Sequence, residues 1–253
     1  QVFLGIRLEC AKCHHHPYEK WGQDDFYGLA AFFPRLQSKK GEGTELRYFI
    51  ASKGEVKHPQ TKAVVNPRVL LGESFDPALE VDPRRRLADW LGTPENPFVA
   101  RALVNRVWAH FMGRGLVEPI DDMRDTNPAT NEPLLNELAR DFVANKFDLR
   151  KLMRTIVTAR VYGLSSQSIA DNIRDTQNYS RSYRKRLSAE VLLDAVCDVT
   201  GESESFEGSP PGVRAVQLWD HRLPSLPPRR PAFRPALLPQ YQALPRASKS
   251  FVL

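Results

Sequence analysis

The sequence lacks any long apolar run. None of its 253 residues falls in a stretch that approaches the roughly 18 consecutive apolar residues of a membrane-spanning helix. No transmembrane segment is therefore predicted. The chain also lacks an initiator Met and a signal-peptide pattern, and it begins at Gln1 inside an apolar element. We expect a truncated start, so the absent signal says nothing about the compartment.

Cysteine is scarce. Three cysteines in a chain of 253 residues argue against a disulfide framework. Cys10 and Cys13 form a close pair, whereas Cys197 stands alone inside a helical pattern. We predict that Cys197 is a small buried hydrophobic residue, because free cysteine usually packs in that way.

An excess of positive charge is confined to the C-terminus. The net charge is +6, and the segment from Arg222 to Leu253 holds six basic residues and no acidic one. The rest of the chain therefore carries 30 basic and 30 acidic residues. Because the body has no overall excess of positive charge to attract phosphate, no nucleic-acid partner is predicted.

The periodicity of apolar residues predicts a mainly α protein in four segments. Residues 1–37 carry the cysteine pair and an aromatic helix, 38–80 a small hairpin within an irregular linker, and 81–222 a helical domain. Residues 223–253 contain seven prolines and no periodicity, which predicts a disordered tail. Their Arg, Pro, Leu and Ala content is also typical of a shifted reading frame.

Helix boundaries carry clear signals in the helical domain. Capping residues precede four apolar stripes, and glycines follow two of them: Asp82, Asn96, Asp148 and Ser188 at the starts, Gly113 and Gly201 at the ends. In the linker, Leu46–Ile50 and residues 55–58 flank a Ser-Lys-Gly sequence, which predicts a hairpin between them.

Cys10, Cys13 and His14 have the Cys-x-x-Cys-His spacing of a c-type haem attachment site. This spacing lets both sulfurs form thioether bonds to the porphyrin edge while the adjacent histidine serves as an axial ligand of the iron. His58 is our first candidate within the chain for the second axial ligand. Two alternatives, a ligand from the missing N-terminal region and an open site, are together favoured over His58.

Two other roles for this cluster stay open. Cys10 and Cys13, with His14 and His16, could also supply the four ligands of tetrahedral zinc, although adjacent histidines do not easily face one ion. A structural or thiol role without a metal is the third alternative. The metal candidates are therefore His14, His16 and His58.

Other polar groups point less clearly to chemistry. Asp121 and Asp122 could form an acid pair, but sequence neighbours usually point apart, so a capping role is favoured for one of them. His110 is interpreted as a core or surface histidine. The sequence contains no nucleophile motif and no glycine-rich phosphate loop. No catalytic constellation is identified, and whether the protein is an enzyme stays open.

The residues around the cysteine pair resemble a known family. Residues 4–18, Trp21 and residues 25–33 are similar to the end of the planctomycete cytochrome-c-associated domain of unknown function. In that family, a Cys-x-x-Cys-His-x-His-Pro core precedes an aromatic segment. The usual partner domain, also of unknown function, resembles further parts of this chain: residues 86–91, 96–98, 104–111, 113–117, 121–122, 126–128, Tyr162, residues 164–166 and 186–190.

The resemblance covers the chain from Gln1 to about Arg222 and implies a large, exported bacterial protein, periplasmic or secreted. It implies, as partner, a cytochrome c domain upstream in the same protein, while the haem role in the family is itself inferred from the motif. On the Cys-x-x-Cys-His motif we therefore expect haem binding, with electron transfer to a redox partner as the functional hypothesis. The resemblance implies no established reaction. The alternative function is that of a non-redox extracytoplasmic structural or interaction protein, whose Cys/His cluster binds zinc or no metal.

Overall fold

The structure is a computed structural model that describes residues 2–41, 46–79, 82–206 and 208–218. The predicted disordered tail lies outside these ranges. The described residues form six α-helices and two small antiparallel sheets, and about 35% of them are helical. The helical fraction is modest for a protein predicted to be mainly α. The helices are α1 Gln23–Ala30, α2 Arg84–Leu91, α3 Val99–Met112, α4 Glu132–Ala144, α5 Leu149–Thr158 and α6 Ala189–Thr200.

The chain divides into two units, Gln1–Tyr183 and Arg184–Leu253. The first holds α1 to α5 and both sheets, and the second holds α6. The predicted divisions after residues 37 and 80 lie inside the first unit, where the cysteine segment and the helices share one body. The second unit begins within the segment 81–222, which was predicted as one helical domain.

The hairpin has a different partner from the one predicted. Strand β1, Leu36–Lys40, pairs antiparallel with β2, Leu46–Ile50, and places Ser38 opposite Tyr48. Residues 55–58 do not pair with β2: Val56–Lys57 (β3) pairs with Val64–Val65 (β4). The predicted pairing of β2 with residues 55–58 was wrong. Strand β1 was not predicted because its sequence has almost no alternation of apolar and polar residues.

Gly54 explains why the Ser-Lys-Gly sequence is not a hairpin turn. It lies against the backbone of Pro34, where a Cβ atom would approach the carbonyl oxygen to 2.5 Å. Glycine is therefore required at this position because two chain segments approach closely, and not because the chain turns between two strands.

The predicted N-caps of α5 and α6 are confirmed, whereas α2 and α3 begin one and two residues after their predicted first residues. Asn96 Oδ1 accepts hydrogen bonds from the backbone N–H groups of Phe98 and Val99, at 2.9 and 3.0 Å. Gly113 ends α3 with φ +80°, a conformation that favours glycine because it has no Cβ. Similar hydrogen bonds occur at the other predicted helix starts. Asp82 Oδ1 accepts from Arg84 N, Asp148 Oδ1 accepts from Arg150 N and Lys151 N, and Ser188 Oγ accepts from Val191 N. Gly201 ends α6 in the left-handed conformation, as Gly113 ends α3.

The main core of the first unit lies among α3, α4 and α5. Val104 and Trp108 of α3 face Leu135 and Phe142 of α4 within one buried cluster, which Ile156 of α5 completes. Val104 and Leu135 are fully buried. Helix α3 is therefore the central helix of this unit. No helix in the described ranges has both the length and the apolar content needed to cross a bilayer.

Helix α6 leaves its apolar stripe exposed. Leu192 and Val196 are 45% and 39% exposed, while the buried residue of the helix is Asp194. The Asp194 carboxylate accepts hydrogen bonds from Ala215 N at 2.7 Å and Val216 N at 3.2 Å. Cys197 is half-buried, so the prediction of a buried residue overstated its burial.

Candidate functional site

The cysteine pair lies on a single tight turn. Cys10–Lys12 form one turn of 3-10 helix, and the backbone N–H groups of Cys13 and His14 donate to Cys10 O at 3.3 Å. Ala11 between the cysteines is fully buried, whereas both cysteine side chains are exposed and free of disulfides. The turn is thus anchored by its alanine and directs both thiols to solvent.

A small hydrophobic cluster anchors this turn. Ala11 belongs to it with Ile6, Trp21 and Leu70, each at most 5% exposed. Partly buried residues surround these four: Leu4, Leu8, Phe26, Leu29, Trp90 and Phe98. The cluster joins the cysteine segment, α1 and α2, so the turn is built on a packed base.

Helix α1 docks on the carbonyl groups of the turn. Gln23 Nε2 donates to Lys12 O at 3.2 Å and to Cys13 O at 3.0 Å. The hydroxyl of Tyr27, one helical turn later, donates to Lys12 O at 3.1 Å. These bonds fix the backbone that carries Cys13.

The cysteine segment is also tied to the chain that follows α3. Arg7 Nη2 lies 2.5 Å from Asp121 Oδ1, and the hydrogen bond from Arg7 lowers the pKa of Asp121. The backbone N–H of Met123 donates to Gly5 O at 2.8 Å. Asp122 instead pairs with Arg124 at 2.8 Å. The two aspartates therefore hold two different arginines and do not act as an acid pair.

The ring of His14 contacts a backbone carbonyl group. Its Nδ1 lies 2.6 Å from His15 O. Because a carbonyl oxygen only accepts hydrogen bonds, Nδ1 carries the proton in this contact, and in the neutral ring Nε2 keeps its lone pair. The His14 side chain is exposed, so this nitrogen is accessible.

Two contacts lie close to this carbonyl group in the chain. The His15 ring lies against Gly22, where a Cβ atom would come within 2.7 Å of His15 Cε1. The next residue, His16, donates its backbone N–H to Trp21 O at 2.9 Å. Both contacts involve the start of α1, so this segment holds the two residues that follow His14.

His16 and His58 have the opposite hydrogen-bonding pattern. His16 Nδ1 accepts from Tyr18 N at 3.3 Å, and His58 Nδ1 accepts from the backbone N–H groups of Gln60 and Thr61, both at 3.3 Å. In both neutral rings the proton therefore sits on Nε2. Ligation through Nε2 would require the proton to leave that atom.

His58 is connected to the cysteine turn through Tyr27, which contacts both. It is 8% exposed, and its ring centroid is 5.8 Å from that of Tyr27, whose hydroxyl binds the turn. Its Nε2 is 3.7 Å from Asp24 Oδ1. In the described part of the chain, no three His, Cys, Asp or Glu side chains are grouped to hold a metal. The ligand roles of His14, His16 and His58 stay predictions.

Sequence reasoning missed the residues that support the turn. Gln23 and Tyr27 are four residues apart and therefore lie on one face of α1. That spacing was a usable signal, since the helix itself was predicted. The contact of His14 with the carbonyl of His15 could not be predicted from the sequence, because every residue has a backbone carbonyl group.

The fold and site define a protein with a cysteine–histidine turn packed beside a helical body. Family comparisons match residues 83–235 to PSD1, a protein family of unknown function (DUF1553), and residues 1–38 to PSCyt2, also of unknown function (DUF1549). Because the first match covers more than half of the chain, the protein belongs to the PSD1 family. No curated protein and no solved structure matches it.

Proposed function

We propose that this chain binds a c-type haem, with thioether bonds to Cys10 and Cys13 and with His14 Nε2 as an axial ligand. The observation that carries the proposal is the 2.6 Å contact of His14 Nδ1 with His15 O, which leaves Nε2 free to bind iron. A hydrogen bond of this kind orients a metal-binding histidine and increases its basicity. When bound, the haem supplies one-electron transfer.

The presentation of the two thiols supports the same function. Cys10 and Cys13 are both exposed and belong to the same turn. The turn is held by the buried side chain of Ala11 and by hydrogen bonds from Gln23 and Tyr27 to its carbonyl groups. Because both cysteines are exposed, attachment at either one would not require a core side chain to move. We infer that the protein is extracytoplasmic and works with a redox partner or an upstream cytochrome c domain, as in the family that it resembles.

His58 would have to change tautomer to serve as the second ligand. Binding through Nε2 requires that atom to lose its proton, and the neutral ring would then carry the proton on Nδ1. The backbone N–H groups of Gln60 and Thr61, both exposed residues, would then exchange His58 Nδ1 for another acceptor. If His58 binds the iron, His58→Ala should change the ferric spectrum of the loaded protein from low-spin toward high-spin, and an unchanged spectrum would remove it from the site.

A second candidate function is a non-redox extracytoplasmic structural or interaction protein that binds zinc. Cys10, Cys13 and His14 are ligands of the types that zinc prefers, although their side chains are not grouped around one point and would have to move together to bind it. His16 would have to give up the Nε2 proton to provide a fourth.

Covalent attachment separates the two functions. The protein is exported with haem-maturation machinery and extracted with acidified acetone, and the haem that stays with the polypeptide is measured by its absorption spectrum. We expect the wild type and Cys197→Ala to retain haem, and Cys10→Ala and Cys13→Ala each to lose one thioether bond. Release of all haem from the wild type, or stoichiometric zinc, would contradict the haem function.

A further inference from the structure

Strands β1 and β2 form a hairpin that is exposed along its whole length. Every residue of both strands is exposed, although β2 is rich in large apolar side chains. The smaller hairpin of β3 and β4 packs against α1, whereas within the described residues no contact of that extent joins β1 or β2 to a helix. The β1–β2 hairpin therefore presents its side chains to solvent on both faces.

One face of this hairpin is apolar. Directly opposed residues of an antiparallel pair lie on the same face, and successive residues of a strand alternate between faces. The pairing of Leu36 with Ile50 and of Ser38 with Tyr48 therefore places four large apolar side chains together: Leu36, Leu46, Tyr48 and Ile50. These four are 38–68% exposed. An apolar face of this size needs a cover, because a two-stranded hairpin alone is only marginally stable.

The opposite face of the hairpin is polar and positive. It carries Lys39 and Arg47, and Lys39 Nζ lies 5.8 Å from the centroid of the Phe49 ring on the same face. With Lys40, the ten strand residues hold three positive charges and no negative one. None of the three forms an ion pair with a described carboxylate.

The positive charge is a local excess. From residue 35 to residue 57 the sequence has six basic and three acidic residues, and two of the acidic ones, Glu42 and Glu45, lie outside the described residues. The body of the chain as a whole is balanced in charge. The hairpin segment therefore attracts negatively charged surfaces more strongly than the rest of the body does.

The base of the hairpin is fixed to the end of α1. The backbone N–H of Leu36 donates to Phe33 O at 2.9 Å, and that of Ala51 donates to Arg35 O at 2.7 Å. The close approach of Gly54 to Pro34 holds the chain that leaves β2. Both faces are therefore presented on a hairpin whose base is held by the first unit.

We propose that this hairpin docks the protein on an anionic lipid surface. The apolar face lies in the boundary between headgroups and acyl chains, and Lys39 and Arg47 lie level with the headgroup phosphates. Elements that bind in this boundary have one apolar face and a polar face rich in lysine and arginine. Tyr48 suits this depth, because tyrosine has an apolar ring and a polar hydroxyl.

The same residues disfavour a protein as the occupant. A second copy of the chain would bring like charges together, three from each hairpin. Lysine is depleted at protein interfaces, and lysines on edge strands discourage the addition of a strand from another chain. Both strands of this two-stranded sheet have a free edge. At headgroup depth the backbone groups of those edges keep hydrogen bonds to water or phosphate, so the hairpin binds at the surface without entering the hydrocarbon.

Binding of the whole protein to lipid vesicles tests this proposal. The anionic probe is a vesicle of phosphatidylglycerol and phosphatidylcholine in equal parts, the neutral match is phosphatidylcholine alone, and cosedimentation measures the bound protein. We expect saturable binding to the anionic vesicles that weakens as salt is added, and binding to the neutral vesicles that is at least about tenfold weaker. No saturable binding to the anionic vesicles, or equal binding to both, would overturn the proposal.

Matched variants locate the binding on the hairpin. Lys39→Gln with Arg47→Gln should weaken binding to the anionic vesicles about 30-fold, because each positive charge near the surface contributes about fivefold. Arg150→Gln with Arg154→Gln removes the same charge from exposed positions of α5 and should bind as the wild type does. An equal loss in both double variants would show that the hairpin is not the site.

The apolar face has its own test. Tyr48→Ser changes a side chain that is 68% exposed, so it should fold normally, and it should weaken vesicle binding about tenfold. Unchanged binding would show that the face does not contact lipid. Polyglutamate and a dilution series of the protein serve as probes for the other occupants. Saturable binding to polyglutamate, or dimerisation that Tyr48→Ser abolishes, in the absence of vesicle binding would assign the hairpin to an acidic protein or to a second copy and would overturn the lipid proposal.

Discussion

Helix α4 of the first unit and helix α6 of the second begin from the same kind of sequence signal but bury different faces. In α4, Asn131 caps the first turn, and Leu135 and Phe142 are at most 1% exposed. In α6, Ser188 caps the first turn, yet Leu192 is 45% exposed. An apolar stripe therefore predicts that a helix forms, but it does not predict that the stripe is covered.

The difference arises from what each helix contacts within its own unit. The apolar face of α4 packs against α3 and α5. Helix α6 contacts the 3-10 turn Ala215–Gln217, and a carboxylate, that of Asp194, makes the hydrogen bonds there. One helix is thus held by apolar packing and the other by polar contacts.

Truncation of matched leucines should separate the two helices most strongly. Leu135→Ala removes a fully buried side chain and should lower the free energy of unfolding of the first unit by about 2–5 kcal/mol. Leu192→Ala removes a half-exposed side chain and should cost less than about 1 kcal/mol. Urea unfolding followed by circular dichroism measures both.

Equal costs would break the comparison, since they would mean that the apolar face of α6 is covered in solution. Leu135→Met is the control for α4, because it changes the shape of the side chain but nearly conserves its volume. It should cost less than about 1.5 kcal/mol.

The capping residues should show smaller and more similar effects. Asp148 Oδ1 accepts from two N–H groups of α5, at 2.9 and 3.1 Å, whereas Ser188 Oγ accepts from one of α6, at 3.4 Å. We expect Asp148→Ala to cost about 1 kcal/mol and Ser188→Ala less. Faster hydrogen exchange of the Lys151 and Val191 amides would report the local loss, and Asp148→Asn and Ser188→Thr should largely preserve the caps.

Local features were predictable from the sequence because few residues determine them. Asn96, Asp148 and Ser188 each satisfy backbone groups within three residues, so a short pattern is enough. The family membership was predictable for a related reason: the runs that carry the resemblance, around Cys10 and around Trp108, are contiguous in the sequence.

Features that depend on distant contacts were not predictable. The partner of β2 was assigned wrongly because β1 has no apolar alternation to mark it as a strand. The contact of His14 Nδ1 with the carbonyl of His15 could not be predicted, because the path of the backbone there is tied to the start of α1 by the His16–Trp21 hydrogen bond. The residue types of the candidate site were evident from the spacing, but their protonation depends on the fold.

The smallest expected effect concerns pH, and it sharpens the contrast between apolar and polar burial. Asp194 is 6% exposed. Burial alone would raise the pKa of Asp194. Hydrogen bonds from the backbone N–H groups of Ala215 and Val216 outweigh that effect and lower the pKa of Asp194 below its usual value. Because the folded pKa lies below that of the unfolded chain, about 3.9, the contact stabilises the second unit at higher pH. That contribution is lost as the pH falls through the folded pKa.

The ¹⁵N shift of the Ala215 amide should therefore change in an acid titration with a midpoint below about 3.9. Val104 of the first unit lies in the apolar cluster, and its helix α3 contains no acidic residue, so the Val104 amide shift should stay nearly constant over the same range. Asp194→Asn keeps one carbonyl acceptor and should abolish the Ala215 transition. Asp198→Asn, which removes an exposed partner of Arg214, should leave the transition in place. A midpoint at or above that of a free aspartate would show that the two N–H groups do not stabilise the charged carboxylate. The polar anchoring of α6 would then be wrong.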